Sequence, residues 1–299
     1  MTPHISFSMT YKAHSVIPSV GLGTFRLKHD TVKPVIRKAI QLGYRHIDTA
    51  AIYHNEAEIG EVLEELYASP NIILSRSELW ITSKLSPYDM KTPREALLKT
   101  LSELQTSYLD LYLIHWPAMA RLPVTSPQNK RLRLEAWKAL NEAKEEGLVR
   151  HIGVSNFTVE HLKELSETPW GIRNAFVQME IHPWYWGDAA EIRKVFLKQN
   201  STMVGYALLA EGKLMQADCP VVFDLISERS GLTKVQVVLA WALRKGWYVL
   251  AKSEDEEHLR QNLEASTLAE KLTANDIVAI DEVSLQGEDK RCWDPRLVQ

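Results

Sequence analysis

The sequence predicts an α/β fold, a (β/α)8 or TIM barrel with an N-terminal β-hairpin and a short C-terminal tail. Three observations support this prediction. Eight apolar runs have the length of buried strands, amphipathic segments lie between them, and the chain of 299 residues has the length of one large barrel. Such an alternation favours a parallel sheet in which each strand is followed by a helix.

The predicted strands are the eight apolar runs, each of which is strand-sized. In chain order they cover residues 19–24, 44–50, 79–83, 109–115, 151–155, 175–180, 203–209 and 247–251.

Amphipathic helices are predicted between these strands. Residues 133–147 and 257–264 have apolar positions at helical spacing. The clearest example is residues 55–67, where four apolar side chains recur at intervals of three and four on one face: Ile59, Val62, Leu63 and Leu66.

An open, doubly wound sheet is the alternative architecture. A dinucleotide-binding sheet of that kind carries G-x-G-x-x-G at its first strand-to-helix turn, whereas residues 21–26 supply Gly21 and Gly23 without the third glycine. The barrel is therefore preferred. We expect one domain over residues 1–299, in which the residues before about Ser19 form a hairpin under the barrel and those beyond about Val283 form a tail across its surface.

The composition favours a globular protein with a small ligand. The formal charge of -3 and the pI near 6.4 give no positive excess for nucleic acid or an anionic membrane. Two cysteines provide no disulfide framework, and no secretory signal or membrane span is visible, so we expect a cytoplasmic protein. The ten histidines form no His-x-His or H-E-x-x-H pair, and no metal site is predicted.

Ionisable side chains lie at or just after the ends of three neighbouring predicted strands. Asp48 and His115 lie near the ends of the second and fourth strands, while Tyr53 follows the second and Lys84 follows the third. Each of these residues alone is more often a packing or capping residue, but the carboxyl ends of barrel strands converge on one rim, where active sites lie. Their convergence predicts a catalytic site at this rim.

The chemistry that these four groups suit is proton transfer to a carbonyl oxygen. A phenol with a pKa of about 10 is poorly matched to neutral pH, and a nearby ammonium lowers that pKa. Lys84 would act on Tyr53 in this way, while Asp48 would hold the ammonium in place. A neutral His115 would donate a hydrogen bond to the bound carbonyl oxygen.

The sequence resembles the aldo-keto reductases, and in particular the aldose and aldehyde reductases. The matching motifs occur in the family's order over nearly the whole chain, and those at 48–56, 113–117 and 153–157 are strongly specific together. The motifs are GLGTF (21–25), GYRHIDTAAIYHNE (43–56), ITSKL (81–85), LDLYLIHWP (109–117), GVSNF (153–157), VQMEIHP (177–183) and a Lys-Ser pair (252–253) near RQN (260–262).

The resemblance implies a barrel that binds a nicotinamide dinucleotide in extended form and passes hydride from it to a carbonyl. It assigns the catalytic tetrad to Asp48, Tyr53, Lys84 and His115. It assigns cofactor contacts to Gly23, Thr24, Asp48, Ser155, Asn156, Gln178, Tyr206, Leu209, Lys252, Ser253, His258, Gln261 and Asn262. The substrate-binding residues would be Phe25, Tyr53, His115 and Trp116.

The sequence departs from the family pattern at the adenosine end of the cofactor. The family's usual Arg is replaced by His258, a weaker phosphate ligand, and four acidic residues precede it. We interpret these acids chiefly as the start of a helix, where negative charge suits the dipole. NADPH is therefore the preferred cofactor, with NADH or dual use left open.

The predicted function is reduction of aldehydes or ketones, including sugar aldehydes, to alcohols, with Tyr53 as proton donor. The expected partner is a small carbonyl compound, and the chain is expected to be a monomer, with a dimer left open. The alternative is a nucleotide-sensing or partner-binding barrel with slow turnover. The complete set of four ionisable residues favours the enzyme.

Overall fold

Eight parallel strands close into one barrel, as predicted. The computed structural model describes residues 17–70, 72, 74–196, 199–286 and 289–299. Each strand pairs with its sequence neighbours, and β8 pairs with β1 to close the ring. The strands are β1 (Val20–Gly23), β2 (His46–Asp48), β3 (Trp80–Leu85), β4 (Leu109–Ile114), β5 (Val149–Ser155), β6 (Phe176–Glu180), β7 (Thr202–Tyr206) and β8 (Tyr248–Ala251).

Helices surround the strands. One α-helix follows each of the first six strands, and two follow each of the last two strands in the described part of the chain. They are α1 (His29–Leu42), α2 (Glu56–Tyr67), α3 (Pro93–Glu103), α4 (Gln128–Glu145), α5 (Val159–Ser166), α6 (Gly187–Phe196), α7 (Val222–Ser230), α8 (Lys234–Arg244), α9 (Glu256–Leu268) and α10 (Ala274–Asp281).

The predicted apolar face of α2 is buried against the barrel. Burial of each large apolar side chain stabilises the fold by about 1.5–3 kcal/mol. Gly60 lies on this helix where it approaches the end of α3, and a Cβ atom there would come within 2.2 Å of the Glu103 carbonyl oxygen. Glycine is therefore required for this helix contact. The buried apolar residues of the face are Ile59, Val62, Leu63 and Leu66.

The barrel interior is apolar at its bottom and polar at its top. Trp80 on β3 and Phe176 on β6 belong to one interior apolar cluster. Because side chains alternate along a strand, residues two and four positions later point into the same interior. That alternation places Lys84 near the end of β3, and Gln178 and Glu180 near the end of β6, at the top of the barrel.

Most strand ends differ from the predicted boundaries by one or two residues, and the end of the seventh differs by three. The third strand extends to Leu85, and the seventh ends at Tyr206 instead of continuing to residue 209. Ala207 has a φ of 55°, a left-handed conformation that ends the strand. The predicted N-terminal hairpin lies outside the described residues. No helix of the described residues has both the length and the apolar character needed to cross a bilayer.

Candidate active site

A buried ion pair lies at the top of the barrel. Lys84 Nζ donates to Asp48 Oδ1 at 2.5 Å and to the Thr49 carbonyl oxygen at 2.8 Å. Gln178 Nε2 donates to the other oxygen of Asp48 at 2.7 Å. Burial is the largest effect and by itself would lower the pKa of Lys84, but Asp48 and Tyr53 together outweigh it and raise that pKa, so the ammonium is charged.

Tyr53 lies beside this ion pair at the end of a short 3-10 helix, Ala51–Tyr53. The Lys84 ammonium is 5.2 Å from the centroid of the Tyr53 ring. Burial raises the pKa of Tyr53, and Lys84 only partly opposes that effect. Lys84 therefore lowers the pKa of Tyr53 as expected, but burial raises that pKa by more, and the phenol is protonated at neutral pH.

His115 is the fourth predicted catalytic residue, and it faces Tyr53 edge to face with ring centroids 5.7 Å apart. Burial, and then the Lys84 charge, hold the pKa of His115 well below its usual range. The imidazole is therefore neutral, as expected from the sequence. Its Nδ1 is buried and has no hydrogen-bond partner in the described structure.

The end of β1 packs directly against the ion pair. Gly23 pairs in register with Asp48. The backbone N–H and the hydroxyl of Thr24 both donate to the Asp48 carbonyl oxygen at 3.0 Å. Asn55 Nδ2 in turn donates to the Thr24 carbonyl oxygen at 3.0 Å. These bonds fix the loop that carries Tyr53 to the ends of β1 and β2.

A polar cluster lines the opposite wall, at the ends of β5, β6 and β7. Asn156, in the left-handed conformation with a φ of 64°, donates Nδ2 to the His115 carbonyl oxygen and to Ser155 Oγ, both at 3.0 Å. Its Oδ1 accepts a hydrogen bond from the Tyr206 hydroxyl. Gln178 completes the wall through its bond to Asp48.

The remaining predicted cofactor residues lie away from the tetrad. Leu209 lies just before the 3-10 helix Ala210–Met215 and packs against the hydrophobic core. Gln261 and Asn262 lie on α9, and Asn262 is buried. Ser253 is half-buried in the loop between β8 and α9.

The acidic run at the start of α9 is engaged with its neighbours. Lys252 Nζ is 3.7 Å from Glu254 Oε1. Asp255 caps the helix by accepting the His258 backbone N–H at 2.9 Å, and its carboxylate is 3.7 Å from the His258 ring. The run therefore begins a helix, and it also places negative charge beside both Lys252 and His258.

An aromatic rim surrounds the tetrad on its solvent side. Phe25 is 50% exposed and lies 5.0 Å from the Tyr53 ring. Trp116 stacks on His115 with ring centroids 6.1 Å apart. Phe25 and Trp116, both predicted to bind substrate, therefore lie beside Tyr53 and His115, and an apolar substrate body could pack against them.

Three residues of the site region were not predicted from the sequence. Trp293 packs edge to face on Trp116 at 4.8 Å, and Cys292 contacts the Tyr206 side chain. Glu180 holds the segment that carries both. The sequence signal for Glu180 is a carboxylate two positions after Gln178 in an otherwise apolar strand. No local pattern indicates that Cys292 and Trp293 reach the site.

The residues present fit the nicotinamide cofactor that the resemblance implies. A Cβ atom placed on Gly23 would have the Ala251 carbonyl oxygen, at 3.9 Å, as its nearest neighbour. The end of β1 is therefore open to a ligand. Ser155 and Gln178 bear a hydroxyl donor and an amide oxygen that match the two halves of a carboxamide. The Tyr206 ring offers an aromatic face beside them.

Comparisons with known proteins point to one family. The sequence model of the Aldo/keto reductase family matches residues 19–285. Methylglyoxal reductase DkgA of Escherichia coli K12 is 34% identical over 276 residues, 92% of this chain and 94% of that protein. Methylglyoxal reductase DkgB of Escherichia coli O157:H7 is 39% identical over 270 residues, 88% of this chain and 92% of that protein.

A solved structure has the same fold. The aldose reductase of Schistosoma japonicum superposes with a TM-score of 0.79 at 30% identity, covering 92% of this chain and 91% of that one. From these matches and the closed barrel of eight strands, we conclude that the chain belongs to the aldo/keto reductase family.

Proposed function

We propose that the protein reduces aldehydes and ketones, sugar aldehydes included, to alcohols, with NADPH preferred over NADH. The observation that carries this proposal is the buried group formed by the Lys84–Asp48 ion pair, the protonated Tyr53 and the neutral His115. Membership of the family supports carbonyl reduction as the reaction class.

Tyr53 is the proposed proton donor. The bound cofactor would supply a hydride to the carbonyl carbon. The Tyr53 hydroxyl would transfer its proton to the carbonyl oxygen, which leaves a phenolate. The Lys84 ammonium would stabilise that phenolate, because opposite charges attract strongly in a buried site. Asp48 would hold the ammonium in place, so its role is to position Lys84.

His115 is proposed to orient the substrate. A neutral imidazole N–H can donate to the carbonyl oxygen without competing as an acid, and its low pKa keeps it neutral over the physiological range. Donors aimed at the oxygen where negative charge develops are among the largest contributors to catalysis. His115 and Tyr53 would thus hold the same oxygen from two sides.

The polar wall of Ser155, Asn156 and Gln178 is proposed to hold the carboxamide of the nicotinamide, and Tyr206 to stack on its ring. Gly23 and Thr24 would approach the cofactor through their backbone. Toward the adenosine end we propose contacts from Leu209, Lys252, Ser253, His258, Gln261 and Asn262.

The preference for NADPH rests on Lys252, which has the only cationic side chain among these proposed contacts when His258 is neutral. A 2'-phosphate would have to compete with Glu254 for it. Use of both NADPH and NADH is the alternative, because the ribose diol of NADH carries no phosphate that would compete with Glu254 for Lys252.

The relatives favour small aldehydes as the first substrates to test, because DkgA and DkgB are named methylglyoxal reductases. The test is the loss of NADPH absorbance with a panel of aldehydes, ketones and sugars that includes methylglyoxal. Turnover of at least one carbonyl above the rate without enzyme is expected. No turnover with the whole panel, with nucleotide retained through purification, would instead favour a binding module.

A further inference from the structure

Glu180 is a buried carboxylate that the proposed chemistry does not use. It ends β6 with only 1% of its surface exposed. Gln178, which bonds to Asp48, lies two residues earlier on the same strand, so Glu180 points into the barrel mouth one layer above the site. A buried charge is costly unless it is paired and hydrogen-bonded, so its partners matter.

Nearly all of the partners of Glu180 come from the tail, defined here as residues 289–299. Lys290 Nζ donates to Oε2 at 2.5 Å, the Arg291 backbone N–H donates to Oε1 at 2.6 Å, and the Cys292 backbone N–H donates at 3.1 Å. His182 Nε2, at 3.1 Å from Oε1, is the partner from outside the tail in the described structure.

The tail is fastened a second time beyond the barrel mouth. The fully buried guanidinium of Arg133 donates to the Gln299 carbonyl oxygen at 2.9 Å. His161 Nε2 is 3.0 Å from the Val298 carbonyl oxygen, and the Gln299 N–H donates to the Val124 carbonyl oxygen at 3.0 Å. The tail is thus held at both ends, with Glu180 at the end nearer the site.

The segment between these two anchors forms one side of the site. Cys292 contacts the Tyr206 side chain, and Trp293 packs on Trp116, which stacks on His115. Trp293 is nevertheless 44% exposed, so its packing alone holds it loosely. The position of this wall therefore depends chiefly on the hydrogen bonds and charge at Glu180. Asp289 adds a contact at the same end, since its N–H donates to the Trp184 carbonyl oxygen at 3.2 Å and its carboxylate accepts from Lys213.

We propose that Glu180 is a positioning residue of the substrate pocket. Its carboxylate fastens the tail through Lys290 and two backbone N–H groups, and thereby holds Cys292 and Trp293 against Tyr206 and Trp116. Without the carboxylate the tail would open, and a substrate would lose one wall of its pocket while the tetrad stayed in place. The kinetic part of this inference rests on the proposed carbonyl reduction, and the structural part does not.

The structural test uses the reactivity of Cys292. Because the sequence holds two cysteines, the Cys219→Ser background leaves Cys292 as the single thiol. The rate at which Cys292 reacts with the disulfide reagent DTNB is measured in this background, and in the same background carrying Glu180→Gln or Lys290→Met. Glu61→Gln, which removes the carboxylate of an exposed ion pair with Lys33, is the matched control.

The two test variants separate opening of the tail from a change in thiol ionisation. Burial and then Glu180 raise the pKa of Cys292, to about 11, whereas Lys290 lowers it. Removing Glu180 would therefore favour the thiolate, and removing Lys290 would disfavour it. Acceleration by about tenfold or more in both variants is expected if the buried pair holds the tail. A parental rate in Lys290→Met would overturn the proposal.

The kinetic test compares KM with kcat in the same variants and without the cysteine change. We expect Glu180→Gln and Lys290→Met to raise KM for an aldehyde by about tenfold while kcat stays within about twofold, because a binding wall is lost and the tetrad is intact. Lys290→Arg, which keeps the cation, is expected to restore KM. Parental KM in both variants would overturn the proposal.

The two arms also separate this inference from the proposed function. If the parent protein reduces no carbonyl, the proposed function fails and the DTNB rates still decide whether Glu180 holds the tail. If Glu180→Gln does not fold, as judged by circular dichroism, Lys290→Met carries both arms, because it leaves His182 and the two backbone donors on the carboxylate.

Discussion

Lys84 Nζ lies 2.5 Å from Asp48 Oδ1, and both side chains are almost wholly removed from water. Breaking such a pair by removing one partner leaves an uncompensated buried charge. The ion pair is therefore a structural element of the barrel as well as the proposed support of the proton donor.

Asp48→Asn is expected to destabilise the fold by about 3 kcal/mol, because the Lys84 ammonium would lose its counter-charge while remaining buried. Urea denaturation of parent and variant measures this difference. Glu135→Gln, which removes a carboxylate from the exposed pair with Arg131, is the control and should change stability by less than about 0.5 kcal/mol. Equal effects of the two substitutions would contradict a buried, charged pair.

Glu56 gives a prediction about pH. Burial raises its pKa to about 7, although Ser83 and Thr100 donate hydrogen bonds to it. Between the ordinary pKa of 4.5 and about 7 the folded state holds a proton that the unfolded state has lost. This group's contribution to stability is therefore greatest below pH 4.5 and falls as the pH rises to 7.

Glu56→Gln should remove that dependence. Relative to the parent, the variant should gain about 3 kcal/mol of unfolding free energy between pH 4.5 and pH 8, since one pKa unit corresponds to about 1.4 kcal/mol. Denaturant titrations of both proteins at several pH values check this. Parallel pH curves for parent and variant would show that Glu56 ionises normally.

His258 tests the cofactor assignment. His258→Arg would place a permanent cation where the family's usual Arg falls, and a guanidinium can bind a phosphate through two hydrogen bonds. We expect about tenfold tighter NADPH binding and little change for NADH, measured by fluorescence titration with each nucleotide. Equal NADPH affinities of parent and variant would place the 2'-phosphate elsewhere.

The fold could be predicted because most of its strands are short, largely apolar runs separated by amphipathic segments. All eight runs became strands of the barrel, since a parallel strand that is buried on both faces must be apolar along its length. Only the ends were misplaced. The stop at Tyr206 depends on the left-handed conformation of Ala207, a backbone property that a non-glycine side chain does not announce.

The proximity of Asp48, Tyr53, Lys84 and His115 could be predicted because these residues lie at or just after the ends of successive strands, and strand ends converge by geometry. The balance of forces on Tyr53 could not. The sequence indicated a cation that would lower its pKa, whereas the burial that raises it appears only when the surrounding residues are placed.

The tail could not be placed on the site from the sequence. Glu180 and Lys290 are separated by 110 positions, and no periodic pattern relates them. Likewise, Trp293 is one aromatic residue in a polar segment, and its contact with Trp116 depends on where the tail crosses the barrel. Such contacts are tertiary, and local sequence carries no signal for them.

Tyr53→Phe tests the central claim most directly, because it keeps the ring and removes only the hydroxyl. The measurement is the rate of NADPH-dependent reduction of an aldehyde that the parent turns over, with nucleotide affinity followed in parallel by fluorescence. We predict a loss of kcat of about 10²–10⁴-fold, the usual contribution of a general acid, with cofactor affinity unchanged. Reduction at the parental rate would contradict Tyr53 as the proton donor.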